Sequence, residues 1–466
     1  MVFSSLTFLY LFLPLCLVCY FASPTVPAKN VTLTLFSLIF YAWGEPLALF
    51  VMLFSAAVQY AAGRLLDARI PRTARRWVFI AALCVSLGLL VVFKYAGMLV
   101  STVNLLPFCR LPVPKIALPI GISFYTFQCL SYTIDVYRKK TEAQTSFLKF
   151  LLFVSLFPQL IAGPILRYTD VASQIEDRTH STKKIFYGSV RFFCGLLKKC
   201  AIANYAGEAA DALLNGNAAF GLWLGILLYT FQIYFDFSGY SDMAIGLGKI
   251  FGFDYCENFR YPYLSVSVTE FWRRWHISLG SFFRDYVYIP LGGKYRMQYR
   301  NILIVWALTG LWHGASWNFM LWGLYYAALL LLEKAFLLKL LDRLPRVVGW
   351  CWTMFTVLIG WTIFYYTDIG RCLKALWIMF GGGAWFPAGF GATLKTNLLF
   401  LALAALAATP CAAKWIGQGM ARLRTPDGEA SALELTLGTL YCLASLVLCT
   451  MLICGSSYNP FLYFRF

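Results

Sequence analysis

The chain has 466 residues, 60% of them apolar and 13% charged, about half the charged share of an ordinary soluble protein. One soluble core cannot bury that much apolar surface, and soluble chains of this length divide into domains joined by polar linkers, which are missing here. The formal charge of +18 resides in short loops between apolar runs, which argues against a nucleic-acid partner and for loops that face anionic lipid.

At roughly 20 apolar residues per crossing, the composition accommodates about ten to thirteen spans with some partial insertions. The expected fold is all-α: one polytopic integral membrane domain over 1–466, with about 11 transmembrane helices plus re-entrant segments. The first apolar run, 3–22, has no positive n-region, since the first basic residue is Lys29. It is also long and shows no small-residue cleavage site, so it reads as an uncleaved first span. The 14 cysteines show no paired metal spacing, and no metal site is expected. Their close pair, Cys16 and Cys19, lies inside the first run and reads as buried thiols. Further apolar stretches lie near 30–43, 46–63, 77–96, 118–136, 146–165, 187–205, 218–236, 302–332, 347–366, 396–415 and 434–454. The stretch 302–332 exceeds one crossing, so it is tilted, broken or extended past the bilayer.

Loop charge sets an expected orientation. Arg64, Arg69, Arg72, Arg75 and Arg76 against Asp67 alone mark one loop as cytoplasmic. Counting back through three spans puts the N-terminus outside, and counting forward puts Arg138, Lys139 and Lys140 inside. The polar loop 167–184, with Arg167, Arg178, Lys183 and Lys184, then conflicts with a single crossing at 146–165. A segment that enters and returns on one side, broken at Pro158, Gly163 and Pro164, removes the conflict. Irregular backbone at membrane depth needs cover from protein or a water-filled cavity, so the conflict points to a cavity opening toward the cytoplasm.

Three histidines are present. His180, in Asp177-Arg-Thr-His-Ser, reads as solvated. His276 lies in Glu270-Phe-Trp-Arg-Arg-Trp-His276-Ile-Ser-Leu-Gly; read as a helix, the run puts Trp272, His276 and Leu279 on one face and Arg273 and Arg274 to the side. It is too charged to span lipid freely and too aromatic for an ordinary loop, so it reads as interfacial or re-entrant. Between Arg260 and Arg300 the basic residues are Arg260, Arg273, Arg274, Arg284, Lys294, Arg296 and Arg300, against Glu270 and Asp285. These are either snorkelling side chains around a hydrogen-bonded histidine or a basic mouth for an anionic donor such as a phosphopantetheine-bearing molecule. His313 lies deep in Leu308-Thr-Gly310-Leu-Trp312-His313-Gly314-Ala-Ser316-Trp-Asn318. A polar ionisable group at that depth is costly unless satisfied and is a functional candidate; Gly310 and Gly314 form a G-x-x-x-G pair that allows close helix approach or leaves room for a substrate. In Gln232-Ile-Tyr-Phe-Asp236-Phe-Ser-Gly239-Tyr-Ser241-Asp242, Gly239 is expected to break a helix and Ser241 or Asp242 to cap the next. Asp236 would then orient a histidine or pair with an arginine.

Several chemistries find no support. There is no G-x-S-x-G elbow, Walker A loop or H-E-x-x-H. Gly246-Leu-Gly248 begins a dinucleotide fingerprint that fails at Phe251, and the His-x-x-x-x-Asp pattern of soluble glycerolipid acyltransferases fails at Ser281 and Asn318. Two histidines without an evident nucleophile leave general-base activation of a hydroxyl, or transient acylation of a partner or side chain.

Phe271-Trp-Arg-Arg-Trp-His276-Ile-Ser-Leu-Gly, Phe283-Arg-Asp-Tyr-Val-Tyr-Ile-Pro-Leu-Gly-Gly293 and Leu311-Trp-His313-Gly-Ala-Ser-Trp-Asn318 together resemble the membrane-bound O-acyltransferase superfamily. Phe235-Asp-Phe-Ser-Gly-Tyr-Ser-Asp-Met-Ala244 and Leu160-Ile-Ala-Gly-Pro164 are similar to its bacterial branch of alginate O-acetylation and teichoic-acid D-alanyl transfer proteins. Met1-Val-Phe-Ser-Ser, Phe40-Tyr-Ala-Trp-Gly-Glu-Pro46 and Asn459-Pro-Phe-Leu-Tyr-Phe-Arg-Phe466 resemble the alginate type, with a departure at Arg465, where Gln is more usual. The resemblance implies a ring of helices around a central funnel, with His313 and His276 matching the family's two conserved histidines. It also implies an acyl group that arrives from a cytoplasmic thioester, either acetyl-CoA or an acyl carrier protein, and leaves on the outer face of the bacterial inner membrane. A serine-hydrolase-like extracytoplasmic partner would complete transfer, and no bound cofactor is implied.

The resulting expectation is an O-acetyltransferase for an extracytoplasmic polysaccharide. His313 would be the general base, His276 catalytic beside it, Asp236, Trp312 and Asn318 supporting, and Arg273, Arg274 and Arg284 the donor-phosphate ligands. The rivals are D-alanyl or other acyl transfer to teichoic acid, peptidoglycan or lipid, and a transporter or flippase; a transporter often shows inverted repeats, and none is evident here.

Overall fold

The computed structural model describes residues 1–421, 423–424, 430–456, 458–459 and 461–462; the Phe-Arg-Phe ending with Arg465 lies outside them. The described secondary structure is helical apart from one isolated bridge between Ala218 and Ala384. Among the described residues, six helices are long and apolar enough to cross a membrane: Pro46–Asp67, Arg72–Val103, Ala219–Ile250, Arg346–Tyr365, Phe390–Ala407 and Ala432–Gly455. Two shorter apolar helices, Phe8–Ala22 and Val26–Ala42, precede them. This is the all-α polytopic fold that composition demands.

By contacts the chain forms two compact units: Met1–Phe192 with Met243–Cys256, and Phe193–Asp242 with Glu257–Phe466. In the first, buried Gln59 ties three helices together. Its Nε2 donates to the Ala82 carbonyl at 2.9 Å and to Ser86 Oγ at 2.8 Å, while Thr133 Oγ1 donates to its Oε1 at 2.5 Å. A buried amide is tolerable in an apolar bundle only when its groups are paired in this way. The stretch 146–165 is broken as expected. The helix Phe147–Ser155 ends at Leu156, whose ψ of 108° is non-helical, and one four-residue turn, Phe157–Leu160, follows. The break falls just ahead of Pro158, which lacks the N–H that a continuous helix would need there and is tolerated in the first turn of the next. The freed Phe157 N–H donates to Ser37 Oγ at 3.1 Å, and 150–166 are buried by protein, the cover that irregular backbone requires.

Two expectations for this unit fail. The segment 167–184 is not all loop, because Tyr168–Glu176 is a helix whose entry is held by an Arg167 N–H bond to Asp170 Oδ2 at 3.0 Å. Nor is His180 solvated. Tyr20 Oη lies 2.7 Å from its Nε2, and Arg178 donates from Nε to Tyr20 Oη at 3.0 Å and from Nη1 to Asn30 Oδ1 at 2.6 Å. These contacts draw the loop inward and leave His180 half-buried; desolvation, then the Arg178 charge, hold its imidazole below the usual pKa. Cys16 is buried and Cys19 half-buried, while Cys84, Cys256, Cys351, Cys411 and Cys454 are exposed.

In the second unit, 302–332 resolves into a hairpin of Gln298–His313 and Trp317–Leu332. Gly310 has the role expected of it: a Cβ added there would lie 3.3 Å from Gly323 Cα, so the two backbones touch where only glycine fits. Gly314 instead makes the break, and Ser316 caps the returning helix by accepting the Asn318 N–H at 3.3 Å. The stretch 396–415 likewise divides into Phe390–Ala407 and Pro410–Ala421, at a proline that cannot continue a helix.

Gly239 breaks nothing, because Ala219–Ile250 is one helix of 32 residues. A Cβ on Gly239 would come 2.8 Å from the Gly195 carbonyl oxygen, so this glycine lets two helices approach closely. Ser241 and Asp242 are therefore mid-helix and cap no helix. Asp242 pairs with Lys198 at 2.6 Å, and Ser241 Oγ accepts from Asn258 Nδ2 at 3.2 Å.

Candidate active site

The run carrying His276 is two short helices, Val268–Arg274 and Ile277–Phe283, so the single-helix reading that aligned Trp272, His276 and Leu279 is incorrect. His276 sits between them at φ 44°, ψ 55°, a left-handed conformation costly for a side chain that is not glycine. Asn258 holds this corner. Its carbonyl accepts the Ile277 N–H at 3.0 Å, and its Oδ1 accepts from Ser278 N at 3.2 Å and Ser278 Oγ at 2.9 Å.

The same Asn258 Oδ1 lies 3.1 Å from His276 Nδ1. A backbone N–H only donates, so the Ser278 contact identifies that Asn258 atom as the oxygen, and His276 Nδ1 must carry a proton to bond it. His276 is thereby held as the neutral Nδ1–H tautomer, leaving a lone pair on Nε2, which is buried without a protein partner. The residue is 2% exposed, and burial pushes its pKa far below the ordinary imidazole value.

His313 ends the first helix of the hairpin and is 6% exposed. Its ring is walled by Trp312 at 4.8 Å, Trp322 at 4.8 Å and Phe364 at 5.1 Å between centroids. Trp312 also meets His276 edge-on at 5.6 Å, so a single indole stands between the two imidazoles. Trp272 packs on Trp306 at 4.7 Å and Tyr326 at 4.8 Å, which seats the short helices on the hairpin through edge contacts.

Both histidines line one cavity of about 540 Å³, together with Trp272, Arg273, Arg284 and Lys334. Arg273 and Lys334 are exposed at its rim. Arg284 donates to both oxygens of the adjacent Asp285, from Nε at 2.7 Å and from Nη2 at 3.1 Å, and its side chain stays exposed. Arg274 is different: it is tied to Glu270 at 2.6 Å and does not line the cavity.

The expected supporting residues separate. Trp312 touches both imidazoles. Asn318 is buried and donates from Nδ2 to the carbonyls of Ile363 and Tyr366, which fastens the hairpin to the helix Arg346–Tyr365. Among the described residues, Asp236 orients neither histidine and pairs with no arginine. Its buried carboxylate takes Lys199 Nζ at 2.7 Å and the Leu462 N–H at 2.8 Å, since a buried charge needs an opposite charge and hydrogen bonds beside it.

Three contributors escaped sequence reasoning. Asn258 lies in an unremarked polar loop, and Lys334 looks like a routine cation at a helix end. Glu333 carried a usable signal, an acid closing the apolar run 329–332. It is fully buried and accepts from Val268 N at 2.6 Å, Thr269 N at 2.8 Å and Thr269 Oγ1 at 2.7 Å. The carboxylate caps the helix leading to His276 from the end of the hairpin carrying His313, favouring the helix dipole as it does so. Glu333→Ala leaves the buried Val268 N–H and the half-buried Thr269 N–H without their acceptor and should destabilise the fold by about 2–5 kcal/mol. Melting of the purified protein checks this, and Glu333→Gln should retain more stability than alanine because one acceptor oxygen remains.

Comparison with known proteins decides the family. Residues 89–376 match the model of the membrane-bound O-acyltransferase family. The "Probable alginate O-acetylase AlgI" of Azotobacter vinelandii is 39% identical, with all of both chains covered. The chain belongs to the membrane-bound O-acyltransferase family. It is accordingly a multi-pass membrane protein and an O-acyltransferase, and the transporter reading falls away. The "Peptidoglycan O-acetyltransferase" of Helicobacter pylori is 32% identical over 82% of this chain and 80% of its own. The "Teichoic acid D-alanyltransferase" of Bacillus subtilis is 31% identical over 45% of this chain and 58% of its own. Among the described residues of this acyltransferase no group of three or more His, Cys, Asp or Glu gathers to hold a metal ion.

Proposed function

We propose that this acyltransferase moves an acetyl group from a cytoplasmic thioester, acetyl-CoA or an acyl carrier protein, for O-acetylation of an extracytoplasmic polysaccharide. It would do so from the bacterial inner membrane with its N-terminus outside, and a serine-hydrolase-like extracytoplasmic partner would complete transfer to the glycan. The observation that carries the reading is one cavity lined by both histidines and rimmed by Arg273, Arg284 and Lys334. Acetyl is favoured over D-alanyl because the whole chain aligns with an acetylase and under half of it with the D-alanyltransferase.

In this mechanism the rim cations hold donor phosphates as charge-assisted contacts, and the thioester reaches into the cavity that both imidazoles line. His313 takes the proton of the acceptor hydroxyl as its oxygen attacks the thioester carbonyl; the tetrahedral intermediate collapses, the C–S bond breaks, and the imidazolium returns the proton to the departing thiolate. His276, limited to accepting at Nε2, receives an amide N–H of the pantetheine arm and aligns the carbonyl. Trp312, packed against both rings, keeps them in register.

Mass analysis of surface polysaccharide from cells with and without the gene tests the proposal. Acetyl esters should be present only with the gene, and purified protein given acetyl thioester should release free thiol without any sealed compartment. An unchanged polysaccharide together with a thioester left intact would refute it.

A further inference from the structure

A second cavity, of about 570 Å³, lies within the first unit and is lined by Asp67, Arg69, Arg75, Lys139, Lys140 and Glu142 among others. Four cations face two carboxylates there. Asp67 accepts the Ala143 N–H at 3.4 Å, and none of Arg69, Lys139 and Lys140 forms a salt bridge among the described residues. Arg75 frames the cavity: its Nη2 donates to the carbonyls of Val136 at 3.3 Å and Tyr137 at 2.8 Å, its guanidinium lies over the Tyr137 ring at 5.3 Å, and its Nε is buried with no partner.

Lys139 is the telling residue. It has φ 58°, its N–H bonds the Val136 carbonyl at 3.0 Å, and the Lys140 N–H bonds the Asp135 carbonyl at 2.9 Å. This is a Schellman end to the helix Ile122–Tyr137, with lysine in the left-handed position that favours glycine. The backbone there would be better served without a side chain, so what the lysine supplies is its charge.

The cavity also lies between the ends of two candidate spans, Pro46–Asp67 and Arg72–Val103. On their flanks Leu65 is 49% and Trp77 65% exposed. Apolar surface beneath a cluster of cations, with an aromatic residue at the junction, has the layout of a phospholipid, acyl chains below a charged headgroup. We propose that this cavity binds the phosphodiester headgroup of an anionic phospholipid. It is separate from the acyl-transfer site and does not depend on the acceptor or donor assigned there.

The test uses the full chain, purified in detergent, with phosphatidylglycerol, phosphatidylcholine or inorganic phosphate added, reading retained lipid by native mass spectrometry and the melting temperature in parallel. Phosphatidylglycerol should be retained and raise the melting temperature, while phosphatidylcholine and inorganic phosphate do neither. Lys139→Gly removes the charge and relaxes the backbone, so lipid-free protein should melt no lower than the parent. Combined with Lys140→Ala it should weaken phosphatidylglycerol retention by about fivefold per lysine, roughly twenty-five-fold together. Equal retention of phosphatidylcholine, full retention by the double variant, or displacement by inorganic phosphate at matched concentration would each overturn the proposal.

Discussion

Replacing His313 with alanine should abolish acyl transfer, lowering the rate by on the order of 10² to 10⁴-fold, while protein level and membrane insertion stay unchanged. The two halves of that expectation have separate causes. The imidazole is the group in the cavity that would take the acceptor's proton. The helix bearing it is held by other contacts: the Gly310–Gly323 approach, the Ser316 cap and the Asn318 bonds to the Ile363 and Tyr366 carbonyls. Alanine therefore leaves a void among Trp312, Trp322 and Phe364 without loosening the hairpin. His313→Gln fills more of that void but brings no base of useful pKa, so it should be equally inactive. Acetyl content of the polysaccharide by mass analysis, alongside immunoblots of membrane fractions, reads both halves. Acetylation that persists in either variant removes His313 as the base.

What could be read from the sequence divides along physical lines. Hydropathy over 20 or so residues reports burial in lipid, a property of whole segments, and so the polytopic helical fold was legible, as was the excess length of 302–332, though not which of tilt, break or extension would absorb it. The two buried histidines were legible because an ionisable group in an apolar or aromatic run is expensive unless it is satisfied. Local backbone choices between alternatives of similar energy were not. Gly239 is as compatible with a helix break as with close packing, and only the Gly195 carbonyl beside it decides. The run from Glu270 has helical spacing throughout, yet Asn258 takes the Ile277 N–H and turns the chain at His276. Likewise, Asp236 was read toward a histidine or an arginine, whereas Lys199, 37 positions earlier, and the Leu462 N–H hold it. Pairing across such separations leaves no trace in a single sequence.

The largest effect outside His313 is expected at Asn258, which touches the reaction only through His276. Asn258→Ala removes the acceptor that fixes the Nδ1–H tautomer and the hydrogen bonds that shape the corner, and should lower kcat/KM by on the order of 10²-fold through misplacement of the ring. A structural defect alone could do as much, so Asn258→Asp is the sharper variant. A carboxylate at the Nδ1–H would stabilise the imidazolium and raise a pKa that burial holds low in the parent. The sign then follows. In the parent His276 stays neutral across the working range, and its Nε2 accepts from the donor at every pH tested. In the aspartate variant protonation enters that range from the acid side, Nε2 ceases to accept, and KM for the thioester rises as pH falls. The acid limb of kcat, which His313 governs in this mechanism, should stay where it is. Steady-state profiles of both constants between about pH 5 and 8, where imidazoles titrate, separate these behaviours. A kcat limb that moves upward with the substitution would make His276 the base and reverse the roles of the two imidazoles, while profiles identical to the parent's would mean that Asn258 only holds the turn.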